Sequence, residues 1–145
     1  MKASQFAKPS FALAAFLGLS MMAQAQQVCS TSTVVGRYIS VCNGFDKTTA
    51  GFVPVAAVGN VENAANGDTT VTGASTVGGT SARLSLQSVG PLQINPDCSG
   101  SVAFSPTGQA PATSHFDFFV ANLGRTINMI QTDAGATLTC TLTRH

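Results

Sequence analysis

The sequence predicts an all-β protein, a single up-and-down antiparallel β-barrel of about eight strands, and three observations carry that prediction. After residue 25 the chain holds 17 Thr and 13 Val against 6 Leu and no Trp. Val and Thr are β-branched and stiff at χ1, which disfavours helices and suits a pleated surface. Short apolar-alternating runs follow one another at fairly even spacing, punctuated by Gly, Pro, Asn and Asp, and no segment after residue 25 shows a convincing helical period. Residues 26–145 carry only eleven charged side chains in 120, far below the roughly 25% of an ordinary domain. The chain is nonetheless apolar enough and neutral enough to fold, unlike a disordered segment.

The elements follow in order. The first strand is read over 34–41 and the second over 52–61. Asn66-Gly67-Asp68 turns the chain, since Asn-Gly tolerates the positive φ angles of a tight hairpin, and the third strand runs over 69–77. Gly78-Gly79 turns again into a fourth strand over 82–94. Within it Gly90-Pro91 marks a bend, because Pro cannot donate to a ladder. Asn-Pro-Asp-Cys-Ser-Gly over 95–100 is a dense turn. The fifth strand covers 101–105 and the loop 106–114 holds two Pro and one Gly. The sixth strand covers 115–121, Asn122-Leu-Gly124 turns, the seventh covers 125–131, and Asp133-Ala-Gly135 turns into the eighth. There Ala136, Leu138, Cys140 and Leu142 alternate with Thr137, Thr139, Thr141 and Thr143, a period of two with one apolar face.

Eight strands left open would expose two edges of unpaired backbone groups, and closure removes both. Hairpin-like spacing between neighbours favours the barrel; a β-sandwich with Greek-key crossovers is the alternative.

Residues 1–25 read as a removable signal peptide. Lys2 and Lys8 precede a short apolar run over 11–19, and Ala23-Gln-Ala25 supplies the small residues of a cleavage site. The run is shorter than the ~20 residues a membrane span needs, so no stable membrane anchor is expected, and 26–145 form one domain that is secreted or periplasmic. Four Cys remain, at 29, 42, 98 and 140, an even count suited to two disulfides in an oxidising compartment. They lie too far apart in sequence for the close ligand pairs of a zinc site, so no metal or other cofactor is expected.

Cys29 ahead of Gly36-Arg-Tyr38, Val58-Gly-Asn with Asn66-Gly67, the turn Asn95-Pro-Asp-Cys-Ser-Gly100, and Ile130-Gln-Thr-Asp-Ala-Gly135 stand in a recognisable order. Together they resemble a family of short secreted bacterial proteins of uncharacterised function, over nearly all of the chain after the signal. At the level of fold the pattern also looks like calycin and allene-oxide-cyclase-like barrels, which hold small apolar molecules in their lumen; such likeness does not itself assign a function. Gly90-Pro91-Leu92 departs from the family pattern where a second Gly-x-Tyr is expected. The resemblance implies a Cys29–Cys98 pair, with Cys42 and Cys140 as an added staple. Barrel geometry agrees. Cys29 and Cys98 fall at the same end, the first and eighth strands become neighbours on closure, and an extended first strand holds Cys29 and Cys42 too far apart to bridge.

His115 shares a strand face with Asp117, a pair that could polarise an imidazole or supply two metal ligands. Two ligands rarely make a site, and a solvent-facing pair at the barrel edge is the plainer reading, with Phe116, Phe118 and Val120 turned to the core. No Gly-x-Ser-x-Gly elbow is present. Asp97 and Asp133 read as turn formers rather than the paired carboxylates of a glycosidase, and Gly78-Gly79 lacks the helix and Lys of a phosphate loop. Tyr38 is in phase with Val34, Gly36 and Ser40, so it points inward with a hydroxyl available to a ligand or, more simply, packed at the barrel mouth. Tyr38 and His115 are therefore the ligand-binding candidates.

Arg37, Lys47, Arg83, Arg125 and Arg144 are scattered singly, which excludes a nucleic-acid surface and a polybasic membrane patch. Three functions remain, in this order: a barrel binding a small apolar molecule, a structural or interaction module with a filled core, and a cyclase- or isomerase-like enzyme acting inside the barrel. Small strand side chains favour a hollow lumen, whereas Phe52, Phe104, Phe116, Phe118 and Phe119 would fill one. A continuous apolar pocket of roughly 300 Å³ or more is the discriminating feature.

Overall fold

The computed structural model describes residues 28–145 except Ala50, Ala110 and Ala112. The signal peptide read over 1–25 lies outside the described residues. A one-turn helix, α1 (Thr31–Val34), leads into β1 (Gly36–Thr48), β2 (Gly51–Asn63), β3 (Thr69–Val77), β4 (Thr80–Ser88), a two-residue β5 (Gln93–Ile94), β6 (Ser99–Pro106), β7 (Ser114–Ala121), β8 (Thr126–Gln131) and β9 (Thr139–Arg144). Each long strand pairs antiparallel with the next. Two further pairings, β1 with β9 and β4 with β6, turn the sheet into a closed ring. A sandwich would break this ladder into two sheets; the continuous register makes it a barrel.

Closure is uneven. β1 meets β9 over six residue pairs, from Tyr38↔Arg144 to Asn43↔Thr139, but β4 meets β6 over three, Leu86↔Pro106 to Ser88↔Phe104. The strand read over 82–94 is in fact two, because Gly90, at φ +81, and Pro91 take the chain out of the ladder after Ser88. The excursion has a purpose in packing. Leu92, 7% exposed, folds inward and its N–H donates to Gly67 O at 2.9 Å.

Inward residues alternate with outward ones most clearly on β2, β7 and β9, and the core includes Tyr38, Val61, Val71, Leu92, Val102, Phe104, Phe116, Phe118, Val120, Ile127 and Leu142. Phe104 and Phe116 meet edge to face at 5.9 Å. Phe52 and Phe119, by contrast, are 63% and 54% exposed, so only three of the five rings expected to compete for the lumen enter it. Gly59 and Gly73 oppose each other directly in β2 and β3. A Cβ on either would collide with the carbonyl of the facing strand, so this glycine pair allows the two backbones to approach as the sheet coils.

Where a strand from residue 34 was expected, Thr31–Val34 is helical. A single turn is too short to show a period in sequence, and its stability comes from contacts. The Ser30 N–H donates to Thr33 Oγ1 at 3.1 Å, and Arg144 Nη2 donates to the Thr33 and Val35 carbonyls at 2.9 and 3.0 Å. At the other terminus β9 begins at Thr139 rather than 136, because Asp133 and Ala136 close a turn through Ala136 N–H to Asp133 O at 3.1 Å.

Both disulfides join the expected partners, Cys29–Cys98 and Cys42–Cys140, and no described cysteine is free. Cys42 and Cys140 face each other directly across the β1–β9 seam. No helix among the described residues is long and apolar enough to cross a membrane.

Candidate functional site: the barrel lumen

One end of the barrel is plugged. Tyr38, fully buried, donates its hydroxyl proton to Gly124 O at 2.7 Å and accepts from Arg144 Nη2 at 2.7 Å, with the guanidinium carbon 5.2 Å from the ring centroid. Arg144 thereby ties α1, Tyr38 and the end of β9 into one lid. Asn63 Nδ2 donates to Val34 O at 3.1 Å and Thr69 Oγ1 to Asn63 Oδ1 at 2.9 Å. A little deeper, Ser40 Oγ donates to Gly59 O at 3.1 Å. These polar groups satisfy one another or the backbone, as buried groups must, except Arg144 Nε, which is buried without a hydrogen-bond partner among the described residues. Cys29–Cys98 staples the same end, where Asp97 shapes the dense turn: its Oδ1 accepts from Ser99 N at 3.0 Å and Ser99 Oγ at 2.6 Å. Those bonds hold the Asp97 carboxyl below its ordinary value.

Between this plug and the opposite end lies a cavity of about 250 Å³. Its wall is mostly Val, Leu, Ile, Met and Phe, with the Cys42–Cys140 bridge and Met129 side by side, since Met129 pairs with Cys140 in register. Toward the far end the lining turns polar: Asp46 near the end of β1, Ser75 on β3, Ser114 at the start of β7 and Gln131 at the end of β8. The lumen falls short of the roughly 300 Å³ set as the mark of a hollow barrel, because Phe104, Phe116 and Phe118 occupy part of it. Two other hollows, of about 630 and 400 Å³, are more open depressions on the outer wall.

Of the two ligand-binding candidates, Tyr38 points inward but belongs to the plug and does not line the cavity. His115 is on the outer wall, half-exposed, in the hollow that also contains Ser101 and Asp117. The barrel does not bring the two together. His115 does share its strand face with Asp117, yet its partner is Asp133: Nδ1 lies 2.7 Å from Asp133 Oδ1, and the His115 backbone N–H donates to Oδ2 at 2.8 Å. Partial burial opposes the charge on Asp133, but hydrogen bonds from Gln131, the His115 backbone and the His115 ring outweigh it and hold the carboxyl below its ordinary value. Asp133 is therefore a turn former that also pins β7 to the turn after β8. Among the described residues no nucleophile is hydrogen-bonded to the His115 ring.

Asp46, Ser75, Ser114 and Gln131 were not among the sequence candidates. For Asp46 the signal existed: it keeps the phase of Tyr38, Ser40 and Cys42, and becomes visible once β1 is extended past Val41. Gln131 likewise keeps the phase of Ile127 and Met129. No cluster of three metal-ligating His, Cys, Asp or Glu side chains occurs among the described residues. Comparison with protein-family models, with curated proteins and with solved structures finds no match to this chain.

Proposed function

We propose that this is an exported protein that binds one small, largely apolar molecule in its barrel lumen. The observation that carries the reading is the apolar cavity of about 250 Å³, plugged at one end by Tyr38, Arg144 and α1. An apolar cavity of ~150 Å³ accepts benzene, so this lumen suits a compact molecule of roughly ten carbons. Export accounts for the two disulfides. Nucleic acid and membrane are not its partners on this reading.

The three inward Phe rings favour a second reading, a structural module whose core is filled. Thermal shift against a panel of monoterpenoids, simple aromatics and short alkyl chains separates the two. A lumenal binder melts higher with increasing ligand, by an amount equivalent to about 2.7 kcal/mol at a hundredfold excess over Kd. Ala57→Phe, placed on the cavity wall, abolishes that shift while leaving a folded, doubly disulfide-bonded protein. A flat response across the panel leaves the filled-core module standing.

A further inference from the structure

Asp46 is the one charged residue among the described residues that line the lumen. It lies near the end of β1 remote from the plug and is exposed, as are its neighbours Phe45 and Lys47. Lys47, the next residue, does not line the cavity. The lumen-lining polar groups of the two ends differ, although the plug itself keeps one buried donor, Arg144 Nε, without a partner among the described residues. At the plug, Ser40, Asn63 and Thr69 are bonded to one another or to backbone. At the far end, the Asp46 carboxylate and the Ser75 and Ser114 hydroxyls make no hydrogen bond to any described residue. Gln131 donates to Asp133 at 2.8 Å, which leaves its carbonyl oxygen as an acceptor.

From this asymmetry we infer that the ligand carries a hydrogen-bond-donating head, an amine or a hydroxyl, held at the Asp46 end while its apolar body fills the lumen. The inference rests on the lumenal reading and names the ligand class within it. A donor head at this end meets the Asp46 carboxylate, and the same lining adds two hydroxyls, which accept or donate, and an amide oxygen, which accepts. A carboxylate head meets Asp46 as a like charge, and a purely apolar molecule leaves these acceptors with water alone. Polarity confined to one end also sets direction: the head stays near solvent and the chain runs toward Leu92 and the plug.

The test is calorimetric titration with octylamine, octanol and octanoate at neutral pH, below their aggregation concentrations, on the full protein, on Asp46→Asn and on Ala57→Phe. Octylamine should bind roughly three- to tenfold more tightly than octanoate, with octanol between, the range expected when one exposed ion pair is made or opposed. Asp46→Asn and high salt should each narrow that gap, and because Asp46 is exposed the variant keeps its fold. Ala57→Phe should abolish binding of all three, which places them in the lumen rather than on the outer wall. Equal affinity for the three ligands, a preference for octanoate, or a gap unchanged in Asp46→Asn overturns the head-group inference and leaves the lumenal reading intact. Failure of all three to bind, or binding indifferent to Ala57→Phe, overturns the lumenal reading and this inference with it.

Discussion

At the scale of single residues, Tyr38 shows how a side chain can be placed correctly by phase and still do something else. Its inward direction follows from alternation, but its hydroxyl is spent on Gly124 O and Arg144. Tyr38→Phe leaves a buried carbonyl and a partly buried guanidinium short of a partner, and should cost about 1–2 kcal/mol in urea unfolding; an unchanged midpoint would remove the hydroxyl from the plug. Asp133 supplies a pH-dependent term. Its folded carboxyl lies below the ordinary value of 3.8, so its contribution is fully present above that value and disappears as the pH falls through the folded one. The stability gap between wild type and Asp133→Ala should therefore shrink as the pH drops below about 4. The gap itself should stay under about 1 kcal/mol, given the partial exposure of the pair. A gap constant down to about pH 2, roughly two units below the ordinary carboxylate range, would show that the carboxylate's charge plays no part.

At the scale of elements, the two disulfides do different work. Cys29–Cys98 ties the segment before α1 to the turn between β5 and β6, where Cys98 takes a φ of +70. Cys42–Cys140 crosses the seam between the first and last strands of the ring. Each closes a long loop, of 69 and 98 residues, and each paired Cys→Ala variant should lose about 2–4 kcal/mol. The variants should also differ in kind: removing the seam bridge should speed amide exchange in both β1 and β9, whereas removing the other should act on α1 and the dense turn. Identical exchange changes in the two variants would refute this division.

At the scale of the whole molecule, the ring closes through one short seam, and residues 80–85 of β4 pair in register with β3 alone. Three residue pairs join β4 to β6, against nine between β2 and β3. Local opening is easiest where the fewest ladder bonds must break. Native-state hydrogen exchange should therefore find the amides of 85–88 and 104–107 exchanging faster than those in the middle of β2 and β3. The opposite order would mean that the barrel opens elsewhere, at β1–β9. A lumenal ligand should slow this exchange, because the β4–β6 seam is flanked by Leu84, Leu86 and Phe104, which line the cavity.

Much of this fold was legible in the residues. The alternation of Leu138, Cys140 and Leu142 with Thr139, Thr141 and Thr143 defines a strand by itself, and Gly78-Gly79 and Asn66-Gly67 define hairpins, because side-chain direction and backbone freedom are local properties. Both disulfide pairs agreed with a ring of strands once closure was assumed. What local patterns do not contain is how the ends of that ring are finished. The one-turn α1 exists because Arg144, 111 residues beyond Thr33, donates to its carbonyls, and Leu92 leaves the ladder to fill the base. The same holds for the site. Asp46, Ser75, Ser114 and Gln131 lie on four strands and line one cavity only when the sheet closes, while His115 is drawn to Asp133 on the outer wall by a turn that follows β8. Local sequence determined strand, turn and facing; tertiary closure decided which inward polar groups share one cavity and which satisfy one another.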